Sequence, residues 1–234
     1  MNNQVLQLKV KQRLNKLASS DFDNIECWQI VEAFNKGMSG WCRRNLHGEN
    51  IVKEGDEQST SRIDDLQILL TVTPTLTLVN RQEFYEADKP LDYLRFKRIS
   101  AKAMQECCPD PRKLVIYLGE DGNTDLLVRD KNKKPSFEWA ETFGAFVGNK
   151  LRIYTNDEFQ VQDAVLIYYR QPKKIQITNC KDPYTGIIPA IDVICEFNDD
   201  LTEVLIDEAA KILSGDIESI VQIQRNKENV ETNN

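Results

Sequence analysis

The spacing of apolar positions shifts along the chain from helical to alternating and back to helical. Val5, Leu6, Val10, Leu14 and Leu17 recur mostly at three- and four-residue steps between Lys and Gln, which predicts an amphipathic helix over Asn3 to Leu17. Ser19-Ser20-Asp21 ends it. A second helix is expected after Asp21 or Asp23, either of which can cap free N–H groups, with Ile25, Trp28, Val31, Ala33 and Phe34 on its apolar face. Gly37 and Gly40 weaken its far half, where Trp41 and Leu46 still pack and Arg43-Arg44 face solvent.

Gly48 to Ser61 is polar and glycine-punctuated and reads as an exposed arm. Alternation then takes over. Leu66, Ile68, Leu70 and Val72, followed after Pro74 by Leu76 and Leu78, predict two strands or one broken strand, and Tyr93 to Ala103 predicts a strand that alternates bulky with basic residues. Lys113 to Leu118 runs into Glu120-Asp121-Gly122-Asn123 and then Leu126-Leu127-Val128, the pattern of a hairpin. A second hairpin is expected between Gly148 and Ile177. Leu151 and Ile153 form one arm, Val161, Ala164, Leu166 and Tyr168 the other, and Pro172 stops the pairing. Ile191, Val193 and Cys195 make the last alternating strand.

The helical period returns after Asp199-Asp200. Asp200 with Glu203 fits a capping box, and Leu201, Val204, Leu205, Ala209, Ile212 and Leu213 form a stripe. Gly215 ends or kinks that helix, Ile217, Ile220 and Val221 keep the period, and the polar end trails off. These elements predict an α+β fold in which the N-terminal and C-terminal helices pack together beside a mainly antiparallel β body. The stripe of Leu201, Leu205, Ile212 and Leu213 is expected to meet the first helices around Trp28 and Val31. The parts are 1–61 (helices and arm), 62–197 (β body), 198–225 (C-terminal helix) and 226–234 (flexible tail).

Composition narrows the function. The chain has 30 Lys+Arg against 37 Asp+Glu, a net charge of −7, which disfavours a partner held by phosphate neutralisation. No apolar run approaches the roughly 20 residues that span a bilayer, and the start lacks the apolar block of a signal peptide, so a soluble protein made in the cytoplasm is expected. Cys27, Cys42, Cys107, Cys108, Cys180 and Cys195 show no CxxC spacing and read as reduced thiols.

Candidate chemistry is sparse. Cys42 and His47, with Cys107-Cys108, make a weak zinc half-site, and the chain has one histidine. Arg43-Arg44 reads as a solvated helix end rather than a phosphate clamp. Arg95, Lys97, Arg98 and Lys102 form a basic strip without a glycine-rich turn. Asp121, Asn123 and Asp125 imitate part of a calcium loop, with the wrong spacing to a closing glutamate. Asp64-Asp65 and Asp199-Asp200 are carboxylate pairs that caps and strand ends explain. No phosphate-loop, nucleophile-elbow or zinc-protease motif occurs, so no catalytic, cofactor-binding or metal residue is assigned. A small metal-dependent or hydrolytic enzyme, or a monomeric protein-binding adaptor, is the alternative.

KPSFEWAETF, GNKLRIYTNDEF, LIYYRQP and CEFNDDLTEVLIDEAAKILSGDIESIVQIQR, over about Tyr93 to Arg225, resemble structural proteins of tailed bacteriophages, especially head-to-tail connector proteins of crAss-like phages. The resemblance implies a non-enzymatic virion protein of the tail or neck region, made in the bacterial host cytoplasm. It further implies a ring of about twelve copies beneath the portal. Its partners would be its own copies, the portal and neighbouring tail or ring proteins. Genomic DNA would pass through without sequence-specific binding, and no membrane or cofactor is implied.

Overall fold

The computed structural model describes residues 1–15, 25–47, 65–105 and 108–216. Its helices are α1 (Asn3–Asn15), α2 (Cys27–His47), α3 (Thr124–Arg129) and α4 (Asp199–Asp216). Its strands are β1 (Leu70–Val72), β2 (Val79–Asn80), β3 (Phe84–Asp88), β4 (Tyr93–Gln105), β5 (Cys108–Leu118), β6 (Glu141–Val147), β7 (Lys150–Tyr154) and β8 (Gln160–Arg170). The chain forms two compact units, Met1–Ile68 with Pro172–Asn234, and Leu69–Gln171. The arm expected at Gly48 to Ser61 and the tail expected at 226–234 lie outside the described residues.

In the first unit the terminal helices pack together, as their stripes predict. Leu6, Val10 and Leu14 of α1 are fully buried at four-residue steps, and α4 touches both α1 and α2. Contact on two sides explains why Leu205, Ile206, Ala209 and Ala210 are all fully buried, whereas Ile212, expected in the stripe, is only half-buried. Gly37 is not a weak point of α2: a Cβ there would lie 3.2 Å from Glu208 Cβ, so its missing side chain lets α2 and α4 approach closely. The expected capping box at Asp200 does not form. Asn198 precedes the helix and its carbonyl accepts the Thr202 N–H at 2.9 Å, while Glu203 turns to Lys9 and Arg13 of α1.

The second unit is one eight-stranded sheet in the order β1-β8-β4-β5-β6-β7-β3-β2, antiparallel except for β5 beside β6. Its two edge strands are consecutive in the chain. Residues 73–78 join them, so about 25 Å is the most that can separate them, and the sheet must curl. Ile99, Leu114, Ile116, Leu151, Ile153, Val161, Leu166 and Tyr168 fill the concave side, with Leu76 and Leu78 packed against them.

Both expected hairpins are corrected. Because β5 and β6 are parallel, the chain between them must cross over, and the expected turn at Asp121-Gly122-Asn123 is a 3-10 turn that leads into α3. Leu127 and Val128 of α3 then cover Phe143, Ala145 and Tyr154 on the convex side. Leu151–Ile153 and Val161–Tyr168 belong to strands that do not pair with each other. β7 pairs with β6 and β3, where Arg152 and Glu86 lie in register 3.3 Å apart and Lys150 and Asp88 2.6 Å apart. The hairpin in this region is β6–β7, whose turn has Gly148 at φ +58°.

The sheet also ends earlier than expected, at Arg170. Residues 172–198 belong to the helical unit, where Gln176 and Val193 form one isolated bridge instead of an Ile191–Cys195 strand. Helix side chains stand in for a neighbouring strand. Asn35 accepts the Ile175 N–H at 2.8 Å and donates back to the Ile175 carbonyl at 3.2 Å, and Asn3 donates to the carbonyls of Gln176 and Val193.

Candidate assembly surface

Among the described residues of the helical unit, the segment 172–198 carries the most exposed large apolar side chains. Tyr184, Ile187, Ile188, Ile191 and Ile194 are 78%, 64%, 56%, 75% and 57% exposed. Isolated exposed isoleucines are ordinary, but this many within eleven residues form a patch.

The patch is held in shape. Cys180 is bonded to Cys27 at the start of α2, which corrects the expectation that all cysteines stay reduced. Asp182 accepts the Tyr184 N–H at 2.9 Å and the Thr185 hydroxyl at 2.7 Å, and its backbone exchanges bonds with Gly186 and Ile187. Asp192 accepts both the N–H and the hydroxyl of Thr178, at 2.6 and 2.8 Å. Trp28 meets Tyr184 edge to face at 6.1 Å. Beside the patch lies a groove of about 590 Å³, lined among others by Trp28, Val31, Ile175, Ile177, Cys180 and Pro189. Preorganisation of this kind lowers the entropic cost of docking a partner.

The carboxylate clamps carry a pH dependence. The Thr185 hydroxyl bond holds Asp182 below its ordinary value of 3.8, and the Thr178 N–H bond does the same for Asp192. A depressed carboxyl stabilises the folded state above its ordinary value and loses that contribution as the pH falls through the lowered one. The Thr178 amide resonance, followed from pH 5 downward, should therefore titrate with a midpoint below the ordinary carboxyl value of 3.8. A midpoint at or above 3.8 would contradict the clamp.

The sheet unit has exposed apolar side chains of its own. Ser136 and Glu141 bridge a turn in which Ala140 has φ +54°, and this turn leaves Trp139 77% exposed. Val115 and Tyr117, about half exposed, lie on the strand beside it.

The residues singled out for chemistry are dispersed. Cys42 is fully buried and lies beside Cys195; burial pushes its thiol up to about 12, which keeps it protonated. Cys107 and the side chains of His47 and Cys108 lie outside the described residues, as does Asp64. Arg44 does not face solvent as a free helix end but pairs with the buried Glu208 of α4, while Arg43 is exposed. In the basic strip, Lys97 sits 6.0 Å over the Tyr169 ring and Lys102 lies 3.8 Å from Asp163, so the strip does not converge on one anion site. Asp121 and Asn123 serve the turn: the Asp121 carbonyl accepts the Thr124 hydroxyl, and the Asn123 amide donates to Glu120. Asp199 accepts the Met1 amino group at 2.7 Å. Among the described residues no three His, Cys, Asp or Glu side chains gather as a metal site, and no helix is long and apolar enough to cross a membrane.

Sequence reasoning missed the patch because Ile191, Val193 and Cys195 alternate like the inward face of a strand; the signal available was Gly186 and Pro189 punctuating the stretch just before them. No protein-family model matches this chain, and no curated protein matches it.

Proposed function

We propose that the protein is a virion structural subunit that forms a ring in the head-to-tail connector of a tailed bacteriophage, beneath the portal, and has no catalytic role. The resemblance over Tyr93 to Arg225 suggests the role, and the exposed Tyr184–Ile194 patch on a tied-down segment is the observation that carries it. A ring subunit must present apolar surface that only a neighbour covers, and a rigid patch makes that contact at low entropic cost. In this reading its neighbours are further copies of itself, the portal and adjoining tail or ring proteins, and DNA passes through the ring.

Negative-stain imaging of the purified protein, with its mass measured by light scattering, tests the proposal. Closed rings are expected. Ile187→Asp with Ile191→Asp should leave the melting temperature within a few degrees of the parent, because both side chains are already solvated, and should leave monomers in place of rings. A parent that stays monomeric at high concentration and in phage lysate, or a chain absent from purified virions, would sink it.

A further inference from the structure

We infer that the Cys27–Cys180 bond is a thiol–disulfide exchange site, opened by a small dithiol that enters the groove beside α2, and that it latches the apolar segment 181–194 to that helix. The bond joins residues 153 apart in sequence and lies where the segment leaves the helical core. Cys180 is only 6% exposed, but it lines the groove of about 590 Å³, which is the side from which a reagent thiolate approaches its sulfur. Cys27 is the first residue of α2, where unsatisfied backbone N–H groups stabilise a departing thiolate and make it the better leaving group.

The exchange balances as follows. The reagent thiolate bonds to Cys180 Sγ as the Sγ–Sγ bond breaks, and Cys27 leaves with the electron pair. The second reagent thiol, losing its proton, displaces Cys180 from the mixed disulfide. The reagent becomes a cyclic disulfide, and the protein gains two electrons and two protons. Cys42 and Cys195 take no part. Both are buried, neither lines the groove as Cys180 does, and burial pushes both thiols up, so they remain protonated.

With the bond open, 181–194 is still held to the rest of its unit by the Asp192–Thr178 clamp, the Gln176–Val193 bridge and the edge contact of Tyr184 with Trp28. These are individually weak bonds near solvent. Reduction therefore loosens the segment without unfolding the helices, and alters the surface that carries Ile187 and Ile191. The exchange site does not depend on the connector reading, since it is read on the isolated subunit rather than on rings.

The test treats native full-length protein, first exposed to oxidised glutathione, with increasing dithiothreitol, followed by alkylation, mass spectrometry and hydrogen exchange. Cys27 and Cys180 should become alkylated together while Cys42 and Cys195 stay protected. Amides of 181–194 should then exchange about tenfold faster, with strands 93–170 unchanged. The Cys27→Ser, Cys180→Ser double variant should show the fast exchange without reductant and ignore dithiothreitol. Three results would overturn the inference: Cys27 and Cys180 unbonded after oxidation, reduction only under denaturant that also exposes Cys42 and Cys195, or unchanged exchange in 181–194 after reduction.

Discussion

Replacing Leu205 by alanine is expected to lower stability by about 2–5 kcal/mol, the cost of removing a fully enclosed leucine when its surroundings collapse only in part. Leu205 is fully buried on the helix that touches both α1 and α2, and its neighbours Ile206, Ala209 and Ala210 are also fully buried. The small alanines let the helices come close, so little flexible side-chain volume is available to refill the space. Urea unfolding should show a lower midpoint with an unchanged slope, because the surface exposed on unfolding hardly changes. Ring formation should weaken only in step with the fold. A Leu205→Ala subunit that unfolds like the parent but no longer assembles would mean that the stripe is a contact between copies, and would refute its assignment to the core.

Arg44→Ala should have the next largest effect. Its partner Glu208 has a side chain only 4% exposed, packed where Gly37 brings α2 against α4, whereas the Arg44 side chain is 38% exposed. Removing the guanidinium leaves a carboxylate with little access to water. Breaking a buried pair in this way costs about 3–5 kcal/mol, and the low end applies because one side of the pair is open to solvent. Glu208→Gln added to Arg44→Ala should recover much of the loss, since no buried charge is then left unpaired. Urea midpoints for the parent, both single variants and the double variant decide it, and a simple sum of the two single effects would show that the pair is not coupled. The exposed Lys102–Asp163 pair is the contrast: with side chains 60% and 53% exposed, its loss should cost no more than about 1 kcal/mol.

The helices at the two ends of the chain were legible because their signal is local. Leu6, Val10 and Leu14 fall on one face whatever the rest of the molecule does, and the stripe from Leu201 to Leu213 needed a partner that the other terminal helices supplied. That β4 and β8 are strands was legible for the same reason, since alternation marks a half-buried strand wherever it pairs. Which strands pair was not. Val161 to Tyr168 alternates equally well beside β7 or β4, and the choice is made by register partners far away in the chain, such as Ile99 opposite Leu166. Nor does a sequence record cover. Ile187, Ile191 and Ile194 carry the composition of a core, and only the fold leaves them uncovered. Cys27 and Cys180 have no local mark at all, because their bond exists only where the C-terminal segment returns to the start of α2. Local spacing thus determined the terminal helices and the long strands, whereas the short helix at Thr124–Arg129, strand partners, solvent-facing apolar residues and the bonded cysteines were decided by tertiary contacts, which depend on distances that no short window of sequence contains.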